Sequence, residues 1–244
     1  MKEFSSDGVR IAYIDVGEGE SILLLHGFAS NHSVNWVFPQ WVKTLSGAGR
    51  RVIAFDARGH GQSEKLYRPE DYTIPRMAED ARNLLDHLGI ERAGIVGYSM
   101  GARVATVLAL SHPARVRSLI IGGMSDKLVS SAGLGPEIAE ALEASSAAHV
   151  KADGAKMFRV FAEATRGDLQ ALAACARGAR LKVSAAELDL PVLVAVGTED
   201  DIAGDPRRLA ALIPHAQALP IPDRDHNRAV GDPVFKRGVL AFPG

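Results

Sequence analysis

The chain has 244 residues, 47% hydrophobic and 23% charged, a composition typical of one medium globular domain with or without a modest insertion. Its formal net charge of −1 gives no basic surface to hold a phosphate backbone or anionic lipid, so we expect neither nucleic acid nor a membrane as partner. No apolar run is long enough to span a membrane, the first residues lack the apolar stretch of a signal peptide, and the single Cys175 excludes an internal disulfide. We therefore expect a cytoplasmic protein.

The first half of the chain alternates short apolar strands with amphipathic helices. In chain order the predicted elements are strands Lys2–Ser5 and Val9–Val16 around an Asp7-Gly8 turn, strand Ser21–Leu25, helix Trp41–Leu45, strand Arg51–Phe55, a helix that Thr73 caps and Gly89 closes, strand Ala93–Gly97, helix Met100–Leu110 and strand Val116–Ile121. Such alternation is typical of a mostly parallel, doubly wound sheet with helices on both faces. The sequence therefore predicts an α/β fold.

The alternation breaks once, between Ser125 and about Glu187, where glycine-punctuated helical patterns occur without a convincing strand. After this break the predicted elements are strands Pro191–Val196 and Ala216–Ile221 and a helix at about Pro233–Ala241. We interpret residues 125–187 as a helical cap, inserted into an α/β core made of residues 1–124 and 188–244.

The pentapeptide Gly97-Tyr98-Ser99-Met100-Gly101 is a G-x-S-x-G motif between a predicted strand and a predicted helix. Its glycines allow a turn too sharp for side chains on either flank, so the Ser99 hydroxyl points outward from the turn. A serine hydroxyl is a poor nucleophile at neutral pH unless a base lies within hydrogen-bond reach and a third group orients that base. We predict Ser99 as a nucleophile, with partners beyond the carboxyl ends of other strands.

Three histidines, His26, His60 and His226, and three carboxylates lie near the ends of predicted strands. His226 follows the last predicted strand, which makes it the best base by position among the eight histidines. Asp200 and Asp201 follow the strand Pro191–Val196, and Asp126 follows the strand before the insertion. We expect one of these three carboxylates to accept the imidazole N–H.

The oxyanion that forms during acyl transfer needs donors already in place. The backbone N–H of Met100 is one candidate, because it follows the nucleophile at a helix N-terminus. The second candidate is the N–H of Phe28, in the loop after the strand Ser21–Leu25, where Gly27 lets the backbone approach closely.

Several segments with motif character occur in a fixed order along the chain. They are His26-Gly27-Phe28, Asp56-Ala57-Arg58-Gly59-His60-Gly61-Gln62-Ser63, the Ser99 pentapeptide, Gly197-Thr198-Glu199-Asp200, and Asp225-His226. In this combination the chain resembles the α/β-hydrolase family over about residues 1–124 and 188–244. The resemblance implies that family's fold, its chain order of serine, acid and histidine, and the oxyanion role of Phe28 and Met100. Its G-x-x-D pattern implies Asp200 as the acid and His226 as the base.

The resemblance further implies a serine hydrolase that cleaves small to medium carboxylic esters through an acyl-enzyme on Ser99, with no metal and no cofactor. Carbon–carbon bond hydrolysis, lactone opening and cofactor-free perhydrolysis would use the same three residues and are the first alternatives. A serine at position 99 argues against haloalkane dehalogenases and epoxide hydrolases of this fold, whose attacking residue is an aspartate. The alternative of a different class is a ligand-sensing binding protein with a nearly idle triad.

Overall fold

Eight strands form one sheet. The computed structural model describes residues 1–243, so Gly244, at the end of the predicted second core segment, lies outside the described residues. The strands are β1 (Lys2–Ser6), β2 (Val9–Val16), β3 (Glu20–Leu25), β4 (Arg50–Phe55), β5 (Ala93–Tyr98), β6 (Val116–Gly122), β7 (Val192–Gly197) and β8 (Ala216–Ile221). Their order across the sheet is β1-β2-β4-β3-β5-β6-β7-β8.

The sheet is antiparallel at one edge and parallel elsewhere. The strands β1 and β2 form a hairpin around the Asp7-Gly8 turn, and β2 runs antiparallel to β4. All pairings from β4 to β8 are parallel, which confirms the predicted mostly parallel sheet. Every residue of β5 and β7 is buried, as expected for central strands covered on both faces. Because parallel strands end at the same edge, the residues after β3, β5, β7 and β8 lie along one rim.

The α-helices of the described chain separate and follow the parallel strands. They are α1 (Trp41–Gly47), α2 (Ile74–His87), α3 (Met100–Ser111), α4 (Lys127–Ser130), α5 (Pro136–Glu143), α6 (Asp153–Ala164), α7 (Leu169–Gly178), α8 (Pro206–Ala210), α9 (His226–Ala229) and α10 (Pro233–Ala241). None of these helices, within residues 1–243, has the length and apolar character that a membrane crossing requires.

Side chains alternate between the two faces of the sheet, so neighbouring residues of β3 join different cores. Leu23 packs in the cluster that α2 and α3 cover, whereas Leu24 packs in the cluster with Trp41 of α1 and Phe235 of α10. At the start of α2, Thr73 occupies the predicted cap position, but its side chain makes no capping hydrogen bond. The adjoining first turn contains a proline, which has no N–H to offer such a cap.

Helices α4 to α7 lie between β6 and β7, and residues 123–191, all of them described, contain no strand. Helix α6 contacts the loop that follows β3. The Phe158 ring stands edge-on to Phe28, with 6.0 Å between ring centroids, and the Thr165 hydroxyl donates to the Ala29 carbonyl at 2.7 Å. The inserted helices therefore cover the rim where the parallel strands end.

A buried ion pair joins the turn after β4 to α2. Arg58 donates through Nε and Nη2 to the two carboxylate oxygens of Asp80, at 2.7 Å each, and the two side chains are 3% and 1% exposed. The Ser6 hydroxyl donates to the same carboxylate at 2.5 Å. Because both charges are removed from water, each one depends on the other for its stabilisation.

Asp80→Asn removes the negative charge with almost no change in volume. The Arg58 charge then stays buried without a counterion, so we expect the free energy of unfolding, measured in urea, to fall by about 3–5 kcal/mol. The control is Glu143→Gln, the same chemical change in a pair with Arg177 whose side chains are 47% and 39% exposed. We expect a loss below about 1 kcal/mol there. Equal, small losses in both variants would contradict the role of the buried pair.

Candidate active site

Ser99 occupies a sharp turn between β5 and α3. Its backbone has φ 53° and ψ −115°, a conformation that L-residues rarely adopt, and its N–H donates to the Gly122 carbonyl at 2.8 Å. A Cβ on Gly97 would lie 2.4 Å from the Gly101 carbonyl oxygen, and a Cβ on Gly101 would lie 2.2 Å from the Leu25 carbonyl oxygen. Only glycine fits at either position, so both glycines of the motif are required by close packing.

Asp200 and His226 meet beyond the ends of β7 and β8. His226 Nδ1 lies 2.7 Å from Asp200 Oδ2, and the carboxylate side chain is fully buried while the imidazole is 15% exposed. The other carboxylate oxygen accepts the N–H groups of Ile202 at 3.0 Å and Ala203 at 2.9 Å, which fixes its orientation. A carboxylate acceptor places the ring proton on Nδ1, so Nε2 keeps the lone pair that accepts a proton.

The two other carboxylates that follow strands point elsewhere. Asp126 lies 3.7 Å from Arg208 at the surface. Asp201 is exposed, and its backbone carbonyl accepts a hydrogen bond from Lys127 Nζ at 3.1 Å. Since neither side chain is hydrogen-bonded to His226 within residues 1–243, Asp200 is the carboxylate that orients the imidazole.

Ser99 and His226 line one cavity, with about 480 Å³ of empty space when its solvent-open part is included. Met157, Phe158 and Phe161 of α6 contribute its apolar wall. In the described chain, residues 1–243, the Ser99 hydroxyl has no hydrogen-bond partner, His226 included. Contacts between a nucleophile and its base are often long before substrate binds and shorten in the complex. The fold thus brings the predicted serine, acid and histidine to one site.

Tyr98 positions the backbone of His226, a contribution that the sequence analysis missed. The Tyr98 hydroxyl donates to the His226 carbonyl at 2.6 Å, and the two rings lie 5.4 Å apart. Burial raises the pKa of Tyr98 well above its usual value, so the hydroxyl keeps the proton that it donates. The sequence does contain one signal for a large side chain at this place, the Gly122-Gly123 pair at the end of β6. A Cβ on Gly123 would come within 2.6 Å of the Tyr98 ring.

Two backbone N–H groups beside Ser99, those of Phe28 and Met100, donate to no protein acceptor within residues 1–243. Met100 begins α3, where the helix dipole favours negative charge. A Cβ on Gly27 would lie 3.4 Å from Ser99 Cβ, so the loop after β3 lies directly against the serine. Asn35 Oδ1, which the sequence analysis also missed, accepts the Gly27 N–H at 2.8 Å and fixes this loop. Both N–H groups are therefore available to an anionic oxygen.

His26, which precedes this loop, connects the loop to the turn after β4 by two hydrogen bonds. His26 Nε2 accepts the Ala57 N–H at 2.9 Å, so its Nδ1 carries the proton and donates to the Gly27 carbonyl at 2.7 Å. Burial lowers the pKa of His26, although nearby Asp56 opposes this effect, and the neutral ring can keep both bonds. Burial acts to raise the pKa of Asp56, but the hydrogen bond from His32, the nearby His26 and His32 rings and the Gln62 N–H together outweigh burial and lower the pKa. These contacts connect the loops after β3 and β4.

A second cavity, with about 600 Å³ of empty space when its solvent-open part is included, also reaches Ser99. Phe28 and Phe158 line both cavities. His226 lines only the first cavity and Arg103 only the second, so Ser99 borders one cavity that contains a histidine and one that contains an arginine.

Known proteins resemble this chain in sequence and in fold. The family model for the alpha/beta hydrolase fold matches residues 20–136. Among solved structures, a hydrolase from Pseudomonas aeruginosa PA01 is 26% identical with a TM-score of 0.80, covering 99% of this chain and 97% of that one. An N-acyl homoserine lactone degrading enzyme is 27% identical with a TM-score of 0.76, covering 99% of this chain and 100% of that one.

Curated relatives match over part of their length. The 2-hydroxymuconate semialdehyde hydrolase of Pseudomonas sp. strain CF600 is 37% identical over 149 residues, 59% of this chain and 47% of the relative. Epoxide hydrolase 3 of Siraitia grosvenorii is 34% identical over 116 residues, 48% of this chain and 36% of the relative. The chain thus spans less than half the length of these relatives. With the sheet order, the family model and the structural neighbours in agreement, the chain has the α/β-hydrolase fold.

Proposed function

We propose that the protein is a serine hydrolase of small to medium carboxylic esters that acts through an acyl-enzyme on Ser99. One observation carries the proposal: His226 Nδ1 lies 2.7 Å from the buried Asp200 carboxylate, at a cavity that also contains Ser99. A nucleophile on a strained turn, a base oriented by a carboxylate, and unpaired amides beside them are the parts that acyl transfer requires.

In the first half-reaction, Ser99 Oγ attacks the carbonyl carbon while His226 Nε2 accepts the hydroxyl proton. The Asp200 carboxylate holds the imidazole tautomer and stabilises the imidazolium. The N–H groups of Phe28 and Met100 donate to the oxyanion, and each such donor commonly lowers the barrier by about 3 kcal/mol. When the tetrahedral intermediate collapses, the imidazolium gives its proton to the leaving alcohol.

In the second half-reaction, water takes the place of the alcohol. His226 accepts a proton from the water as it attacks the acyl-enzyme, then returns a proton to Ser99 as the acid leaves. The leaving oxygen must lie beside the imidazole, so the alcohol occupies the 480 Å³ cavity that His226 lines and the acyl chain occupies the 600 Å³ cavity.

Lactone opening is the second candidate. A lactone is an internal ester, and the N-acyl homoserine lactone degrading enzyme matches nearly the whole chain at 27% identity. The serine at position 99 disfavours epoxide opening, because the resemblance gives the epoxide hydrolases of this fold an attacking aspartate. Ester chemistry, open-chain or cyclic, is therefore preferred to epoxide opening.

Ser99→Ala removes the proposed nucleophile. We expect turnover of p-nitrophenyl butanoate and covalent labelling by a fluorophosphonate both to be lost, because no hydroxyl then remains at the turn between β5 and α3 for the imidazole to activate. The matched control is Ser30→Ala, since the Ser30 hydroxyl lines the same cavity and has no protein partner within residues 1–243. That variant should still be labelled. Full activity in Ser99→Ala, or loss of labelling only in Ser30→Ala, would refute the assignment.

Asp200→Asn keeps the shape of the side chain but favours the wrong imidazole tautomer. We expect kcat to fall by about 10⁴-fold with little change in KM. Asp201→Asn is the neighbouring control, because the Asp201 side chain is exposed and is not hydrogen-bonded to His226 within residues 1–243. Its kcat should stay within about twofold of the wild type. Equal losses in the two variants would count against Asp200 as the orienting acid.

A series of substrates distinguishes the reactions that Ser99, Asp200 and His226 could catalyse. We expect p-nitrophenyl esters of short and medium acids to be turned over, with lactones of similar size as the next best substrates. Inert aryl esters together with turnover of a vinylogous diketone would replace ester cleavage by carbon–carbon bond hydrolysis. Turnover slower than about one per minute on every ester, with tight binding of a small molecule, would favour a ligand-sensing protein.

A further inference from the structure

Arg103 is a buried cation one helical turn after Ser99 on α3. It is 3% exposed, and no carboxylate within residues 1–243 lies within ion-pair distance of it. Its guanidinium donates only to backbone carbonyls. Nη1 donates to Leu128 and Ser131 at 3.0 Å each and to Leu181, and Nη2 donates to Lys127 at 3.1 Å.

The other buried arginines of the described chain have a counterion. Arg58, 3% exposed, pairs with Asp80, and Arg159, 5% exposed, pairs with Glu163 at 2.8 Å. A buried charge without such a partner is costly, and carbonyl dipoles offset only part of that cost. Burial lowers the pKa of Arg103 to about 10, which still leaves it protonated at neutral pH. The protein therefore keeps an uncompensated positive charge next to its candidate nucleophile.

Two N–H groups of this guanidinium, that of Nε and one of Nη2, are unused within residues 1–243, and Arg103 borders the second cavity. Arg103 Nε makes no hydrogen bond within residues 1–243, and Arg103 lines the 600 Å³ cavity that also reaches Ser99. The charged residues in that lining are Arg103 and Lys127, and the rest is largely apolar, with Met124, Leu134 and Phe158 among its side chains. An apolar channel with positive charge at its wall fits a hydrocarbon chain that ends in an anion.

We propose that Arg103 binds a carboxylate on the acyl chain, so that the preferred substrates are monoesters of dicarboxylic acids. The inference rests on the proposed ester hydrolysis and on placing the alcohol beside His226. Water and the monoester then give the alcohol and a dicarboxylate, with the new acid group released from Ser99. Arg103 acts here as a specificity-determining residue.

The test compares esters that differ only by a carboxylate at the end of the acyl chain. Monomethyl succinate, glutarate, adipate and pimelate are assayed against methyl butanoate, pentanoate, hexanoate and heptanoate, each by release of methanol. We expect kcat/KM for at least one monoester to exceed that of its neutral partner by about tenfold or more, as charge-assisted hydrogen bonds allow. Carboxymethyl hexanoate, with the charge on the alcohol side, should show no such preference over ethyl hexanoate.

Variants assign the preference to a residue. Arg103→Gln should bring each monoester to the rate of its neutral partner, whereas Lys127→Gln should leave most of the preference, because the Lys127 ammonium donates to the Asp201 carbonyl at 3.1 Å. Loss in Lys127→Gln alone would overturn the assignment to Arg103. If Arg103→Gln fails to fold, the wild-type comparison of acyl-side and alcohol-side charge still decides whether the second cavity selects an anion.

Binding to Ser99→Ala separates this inference from the proposed reaction. Calorimetry should show monomethyl adipate binding about tenfold more tightly than methyl hexanoate, even if no ester is turned over by the wild type. Turnover of neutral and anionic esters at equal rates, with equal binding, would overturn the anion site and leave ester hydrolysis standing. Absent turnover with selective anion binding would refute ester hydrolysis and keep the anion site.

Discussion

A serine held at φ 53° costs about 1–3 kcal/mol of backbone strain, so its surroundings must hold it in place. Gly97 and Gly101 do so by close packing: the helix start lies against the end of β5, and the carbonyl of Leu25 in β3 lies where a side chain on Gly101 would be. The N–H of Ser99 is fixed by Gly122 of β6. This packing turns the strand directly into α3, which puts the serine and the Met100 N–H at the same point of the rim.

The other groups of the candidate active site follow parallel strands that end along the same rim as the serine turn. The loop after β3 provides the Phe28 N–H, the loop after β7 provides Asp200, and the start of α9 after β8 provides His226. The Tyr98 hydroxyl, 2.6 Å from the His226 carbonyl, links the serine turn to the histidine loop. The inserted helices then close two cavities over the rim, with an imidazole at one and an uncompensated guanidinium at the other.

Sequence patterns predicted the parts that are local or periodic. Buried parallel strands are continuous apolar runs, so β5, β6 and β7 were predicted within one residue of their observed limits, Ala93–Tyr98, Val116–Gly122 and Val192–Gly197. The turn at Ser99 was predicted because two glycines at this spacing favour a sharp turn between a strand and a helix. The patterns missed Tyr98 and Asn35, because each acts through a hydrogen bond to the backbone of a different loop. From the sequence alone, Arg103 looks like any other helix residue. Its guanidinium is hydrogen-bonded to carbonyls about 25 and 78 residues away in the chain, which no local pattern shows.

A crystal structure of the protein after reaction with a fluorophosphonate measures the convergence of these groups most directly. The account predicts the phosphorus bonded to Ser99 Oγ, its oxygen about 2.7–3.1 Å from the backbone nitrogens of Phe28 and Met100, and His226 Nε2 within hydrogen-bond reach of the bonded oxygens. A phosphonyl oxygen turned away from both amides, or an imidazole ring remote from the adduct, would contradict it.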